Sequence, residues 1–120
     1  MKSILTVDDS QTMRDMLLLA LEDAGFRVTQ ACDGLEGLEA LRDETPDVII
    51  TDINMPRLDG FGFIEKVRAD PRYRATPILV LTTESEADRK DRAKKLGATG
   101  WIVKPFNTAK LVEAIRRVAA

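Results

Sequence analysis

Two continuous apolar runs, Val48-Ile49-Ile50 and Ile78-Leu79-Val80-Leu81, constrain this chain more than any other feature. A strand with one wet face alternates apolar and polar residues. A run that is apolar at every position and rich in β-branched side chains predicts a strand dry on both faces, which occurs where helices cover both sides of a parallel sheet. The neighbouring segments supply such helices. After a short apolar run from Ser3 to Val7, residues Met13, Met16, Leu17, Ala20, Leu21 and Ala24 recur at helical spacing. Gly25 stops that helix, with Phe26 placed to pack back on Leu21. Phe26 to Ala31 alternates like a strand with one wetter face. Asp33 and Glu36 have the spacing of a capping box and open a helix carrying Leu35, Leu38 and Leu41, which must end before Pro46.

Beyond Thr51-Asp52, a loop with Met55-Pro56 and Asp59-Gly60 leads to a helix over Phe61 to Arg68, ended by Asp70-Pro71. Ser85 with Asp88 is placed to cap a helix from Glu86 to Leu96, whose run of charges from Arg89 to Lys95 puts most of its surface in water. Gly97 ends it. Trp101-Ile102-Val103 forms a fifth strand before Lys104-Pro105-Phe106, and the last helix starts near Thr108 with Leu111, Val112, Ala114, Ile115 and Val118. Strand and helix thus alternate five times. This predicts an α/β fold of three layers, a doubly wound five-stranded parallel sheet between helices with right-handed crossovers. The 120 residues suit a single domain spanning 1–120.

Composition narrows the chemistry. The chain is 44% hydrophobic and 32% charged, with a net charge of -2, which makes no electrostatic case for nucleic acid or anionic lipid as a partner. No stretch approaches the ~20 apolar residues of a membrane span, and acids interrupt the N-terminal run too early for a signal peptide, so a cytoplasmic location is expected. There is no histidine and one cysteine, Cys32, expected to be a small core or near-surface hydrophobe. Triads built on histidine, His or Cys/His zinc sites and disulfide frameworks are therefore excluded. What remains is carboxylate, hydroxyl, lysine and backbone.

Those groups gather at one edge. Ligands of open parallel sheets bind outside the carboxyl ends of the strands. The residues that follow the strands are Asp8 and Asp9, Asp33, Asp52, Thr82 with Thr83, and Lys104, and all but Asp33 of the second strand are expected on one rim. Two carboxylates about 4 Å apart repel by about 4 kcal/mol at an effective dielectric of 20. A domain with a total stability of about 5 to 15 kcal/mol keeps such a cluster only where a cation neutralises it. Oxygen donors without imidazole or thiolate select a hard cation, and Mg2+ fits a site of few carboxylates that retains waters and phosphate.

Asp8-Asp9, the segment Asp52-Ile53-Asn54-Met55-Pro56-Arg57-Leu58-Asp59-Gly60, Thr82 and Lys104-Pro105 together resemble the receiver domain of two-component response regulators, and the resemblance runs the length of the chain. It implies a flavodoxin-like (βα)5 fold with strand order 2-1-3-4-5. It implies Asp52 as the phosphoryl acceptor, with Mg2+ held by Asp9, Asp52 and the backbone carbonyl of Asn54, and Asp8 helping through water. Lys104 would pair with one phosphoryl oxygen and Thr82 with another, and Lys104-Pro105 would be a cis peptide. A carboxylate nucleophile needs no general base, so the lack of histidine is no obstacle. The donor would be a histidine kinase, and the chain would be no enzyme beyond its own Mg2+-dependent phosphorylation and dephosphorylation.

The resemblance also implies an output face on the fourth helix, fifth strand and fifth helix, where Lys90, Lys94, Trp101 and Lys110 are placed to meet a target protein. Trp101 takes the family's aromatic switch position, where Tyr or Phe is usual, and Thr83 fills a position that is often smaller. A hydrogen bond to a charged group contributes about 1.5–3 kcal/mol, whereas moving an equilibrium from 1:99 to 99:1 needs about 5.5, so Thr82 alone would shift the switch only in part. With no output module before Ala120, signalling is expected by protein contact. Asn54 and Glu84 resemble the chemotaxis regulators that act on the flagellar motor switch; stand-alone receivers of pilus motility and phosphorelays are the alternative. A haloacid dehalogenase-type Mg2+ phosphatase also carries a strand-end aspartate, but its second acid is replaced here by Asn54, and the chain has no room for a cap.

Overall fold

The computed structural model describes residues 1–119. Five strands, β1 (Ser3–Val7), β2 (Arg27–Ala31), β3 (Val48–Thr51), β4 (Ile78–Thr82) and β5 (Gly100–Val103), alternate with five helices. These are α1 (Gln11–Asp23), α2 (Gly34–Asp43), α3 (Gly60–Ala69), α4 (Ala87–Leu96) and α5 (Thr108–Val118). The strands pair in parallel in the order β2-β1-β3-β4-β5, the order that the resemblance implies.

The pleat sorts the core into two halves. Leu5, Val7, Ile49, Ile78 and Val80 pack with Leu41 of α2, Phe63, Ile64 and Val67 of α3, and Ala93 of α4. Ile4, Val48, Ile50, Leu79 and Leu81 point the other way and pack with Leu17 and Leu21 of α1 and Leu111, Val112 and Ile115 of α5. The two apolar runs are β3 and β4, buried at every position, while the edge strands β2 and β5 are wetter.

Caps mark the helix starts. Ser10, Asp33, Asp59 and Asn107 each accept, through the side chain, the backbone N–H three residues on. At the end of α1, Gly25 takes a φ of +93°, its N–H donates to Glu22 and that of Phe26 to Leu21, closing the turn as expected. Two expectations are corrected. Ser85 does not cap α4; Glu86 precedes the helix and makes no side-chain cap bond. In α2 the buried residues are Gly34, Gly37 and Leu41, with Leu38 packed beside them, so Leu35 falls outside the stripe and is exposed. Cys32 is half-buried near the surface, and its thiol donates to Glu36 Oε2 at 3.3 Å. Glu36 Oε1 takes the Cys32 N–H, so the return bond of the capping box falls one residue early. Met16 is half exposed at the border of the α1 stripe.

Among the described residues no helix is long and apolar enough to cross a membrane. Tyr73 sits fully buried in a short 3-10 turn, Pro71–Tyr73, and its hydroxyl donates to the carbonyls of Leu41 and Glu44. Thr6 of β1 is also fully buried, and its hydroxyl has no hydrogen-bond partner among the described residues. An unpartnered buried hydroxyl costs desolvation with no return. Thr6→Val should therefore raise stability to urea by about 1 kcal/mol, and a loss of that size would show that the hydroxyl is partnered.

Candidate functional site

The register of the sheet builds the site. Val7 pairs with Thr51, so Asp8 and Asp52 leave β1 and β3 side by side, and the Asp52 N–H donates to the Val7 carbonyl. Thr82 pairs with Val103, and the Lys104 N–H donates to the Thr82 carbonyl at 2.8 Å. Four strand ends thus bring Asp8, Asp9, Asp52, Thr82 and Lys104 to one edge.

Lys104 Nζ donates to Asp8 Oδ2 and Asp52 Oδ2, each at 2.8 Å. The remaining carboxylate oxygens take backbone donors, Ser10 N–H on Asp8 Oδ1 at 2.9 Å and Ile53 N–H on Asp52 Oδ1 at 2.6 Å. Asp8 and Asp52 are buried and Asp9 is exposed, with one oxygen from each of the three within 4.8 Å of the others. Burial pushes the Asp8 carboxyl above its usual value, and the bond from Lys104 offsets only part of this. Burial alone would lower the Lys104 pKa, but its bonds to Asp52 and Asp8 outweigh that and hold the ammonium above the ordinary lysine value. Three carboxylates face one ammonium, and the donors are hard oxygens open to water on the Asp9 side. That set fits a hard divalent cation.

The peptide Lys104-Pro105 is cis. Asn54 is exposed, and its side-chain amide donates to Glu84 Oε1 at 2.9 Å. Thr82 is fully buried, and its hydroxyl accepts the Glu84 N–H at 3.3 Å; Thr83 is exposed. The Glu84 carbonyl in turn accepts the indole N–H of Trp101 at 3.0 Å, and the half-buried indole packs against the α2–α4 half of the core. Lys90, Lys94 and Trp101, with Asp91, line an open groove of about 430 Å3 between α4 and β5 that contains none of Asp8, Asp9 and Asp52. Lys110 lies outside it, exposed near the start of α5. Asp33 is apart from the acidic cluster, as expected, and its carboxylate pairs with Arg57.

Arg14 was not foreseen. Its Nη1 donates to the Asp8 carbonyl at 2.7 Å and braces the backbone of the acid pair. The available signal was a cation in the first turns of a helix, where the macrodipole disfavours it.

Residues 4–116 match the family model of the response regulator receiver domain. Over 116 residues the chain is 39% identical to chemotaxis protein CheY-3 of Vibrio cholerae, covering 96% of this chain and 89% of that one. It is 36% identical to the probable chemotaxis protein CheY of Rhizobium etli, with 96% and 90% covered. The structure of CheY4 of Vibrio cholerae superposes with a TM-score of 0.93 at 47% identity, covering 98% of both chains. The receiver domain of the sensor histidine kinase PA1611 of Pseudomonas aeruginosa, solved with magnesium coordinated in its active site cleft, gives 0.91 at 27% identity over 98% of this chain and 97% of that one.

The Arg57 guanidinium holds the Asp33 carboxyl below its usual value of 3.8. A lowered folded-state value means that the pair stabilises fully above the unfolded value and loses that contribution as pH falls through the folded one. Asp33→Asn, which keeps the helix cap, should cost about 1–2 kcal/mol at neutral pH, with the gap to wild type closing as pH drops below 3.8. A gap that does not change with pH would contradict this assignment.

Proposed function

The chain belongs to the response regulator receiver domain family, and on that premise we propose that Asp52 accepts a phosphoryl group from a histidine of a partner kinase and that the domain signals by protein contact. The observation that carries this reading is Lys104 Nζ held 2.8 Å from both Asp8 and Asp52 beside a third acid. An Asp52 oxygen forms the new bond to phosphorus as the bond to the imidazole nitrogen breaks, and its electron pair leaves with the kinase. No proton need be removed from the carboxylate. Lys104 would pair with a phosphoryl oxygen, and the Thr82 hydroxyl would exchange its Glu84 N–H for another. Asp9, Asp52 and the Asn54 carbonyl would hold Mg2+, with Asp8 acting through water. When bound, Mg2+ neutralises charge on the transferring oxygens. The magnesium in the Pseudomonas relative supports this choice of ion. The catalysis is confined to the domain's own phosphorylation and dephosphorylation.

Output follows the bonds that meet at Glu84. Drawing Thr82 toward a phosphoryl group disturbs the Glu84 N–H, and the Glu84 carbonyl holds Trp101 beside the groove lined by Lys90 and Lys94. We assign the target to this face, with Lys110 at its border, and the process to chemotaxis, in keeping with the relatives named chemotaxis proteins. The target would be the flagellar motor switch, met in the cytoplasm by residues 1–120 acting as one receiver domain.

Incubation with acetyl phosphate and Mg2+ should add one labile phosphoryl group to wild type by intact mass and none to Asp52→Asn; equal adducts on both would end the assignment. A peptide of the flagellar switch should bind more tightly when beryllium fluoride occupies the phosphoryl site. Equal binding in both states would remove the motor switch as target while leaving the acceptor role intact.

A further inference from the structure

The loop between β3 and α3 carries a strained turn. Arg57 has a φ of +66° and is alone among the described non-glycine residues in taking a positive value. The Leu58 N–H donates to the Pro56 carbonyl at 2.7 Å, so the chain reverses over three residues. A three-residue turn with positive φ at its centre is the rare, strained form of the γ-turn. Strain of this kind persists only where the surroundings over-determine it.

Two contacts with α2 hold it here. Arg57 Nε and Nη2 donate to Asp33 Oδ2 and Oδ1 at 2.7 and 3.1 Å, a forked pair. The Gly34 N–H donates to the Leu58 carbonyl at 3.1 Å, and the approach is so close that a Cβ on Gly34 would lie 2.6 Å from that oxygen. Asp33 is itself immobilised, with its carboxylate nearly inaccessible and engaged as the cap of α2. At the other end of the loop, the Gly60 N–H donates to the Ile53 carbonyl at 2.8 Å. Residues 54–59 are thus stretched between the acceptor aspartate and the start of α2. Glycine would take the turn without strain but could not reach Asp33. What Arg57 contributes is the planar fork of its side chain.

We propose that Arg57 is a positioning residue for the metal site: by clasping Asp33 across the strained turn, it fixes the Asn54 carbonyl relative to Asp9 and Asp52. This inference rests on the reading of the acidic cluster as a Mg2+ site. Mg2+ demands near-ideal octahedral placement, so a loose backbone ligand is felt as lost affinity.

The test is calorimetric titration of Mg2+ into wild type, Arg57→Ala, Arg57→Gly, Arg57→Lys, Asp33→Asn/Arg57→Ala and Asp52→Asn, with amide exchange read at Leu58 and Gly60. Arg57→Ala and Arg57→Gly should each bind Mg2+ about tenfold more weakly, with faster exchange at both amides. Arg57→Lys, which keeps the charge but not the fork, should recover part of the affinity. The double variant, which leaves no unpaired carboxylate at position 33, should be as weak as Arg57→Ala. Binding that depends on Asp52 but is unchanged in Arg57→Ala would overturn the clasp alone. Equal binding by wild type and Asp52→Asn would overturn the metal reading, and the clasp with it.

Discussion

A single ammonium group shared by two buried carboxylates organises the carboxyl edge of this sheet. Lys104 reaches Asp8 and Asp52 only because parallel register sets the ends of β1, β3 and β5 at one level. Breaking a buried ion pair from one side typically costs 3–5 kcal/mol, because the remaining charge has nowhere to go. The arrangement is still two positive charges short of balance, since Asp9 adds a third acid within 4.8 Å of the other two and Lys104 is the one cation that meets them. Packing elsewhere in the domain offsets the cost of that repulsion. β3 and β4 are apolar on both faces and anchor two core halves, a locally consistent frame on which an inconsistent cluster can be carried.

Much of this was legible in the order of residues. Val48-Ile49-Ile50 and Ile78-Leu79-Val80-Leu81 are apolar at successive positions, which only a strand covered on both sides can satisfy, and both are central strands. Once the strands were placed, their carboxyl ends fixed where Asp8, Asp9, Asp52, Thr82 and Lys104 had to meet. The failures have physical reasons as well. In α2, Leu35 contributes to an apolar pattern and Gly37 does not, yet Gly37 faces the core because a Cβ there would lie 2.8 Å from the Phe63 ring. Hydrophobicity is blind to close approach. Tyr73 is a lone aromatic in a three-residue turn and belongs to no periodic segment. The Arg57–Asp33 pair joins residues 24 apart on different elements, a contact without local signature.

Glu84 links the rim of the site to the edge strand β5. Its side chain meets Asn54, its N–H meets Thr82, and its carbonyl holds the indole of Trp101. One residue therefore touches the loop after β3, the hydroxyl at the end of β4, and the aromatic of β5. Arg57 and Asp33 tie the loop after β3 to the start of α2. The acidic cluster itself is open to water at Asp9.

Electrostatic imbalance at that cluster makes the most direct claim on experiment. Asp9→Asn removes one charge from the exposed member of the cluster and leaves both Lys104 bonds in place. Thermal melts of wild type and Asp9→Asn, with chelator and with Mg2+, read the effect. Relief of repulsion predicts that Asp9→Asn melts above wild type in chelator and that Mg2+ stabilises wild type far more than the variant. A variant that melts below wild type in chelator, together with no effect of Mg2+ on either protein, would contradict a cluster held together for a cation.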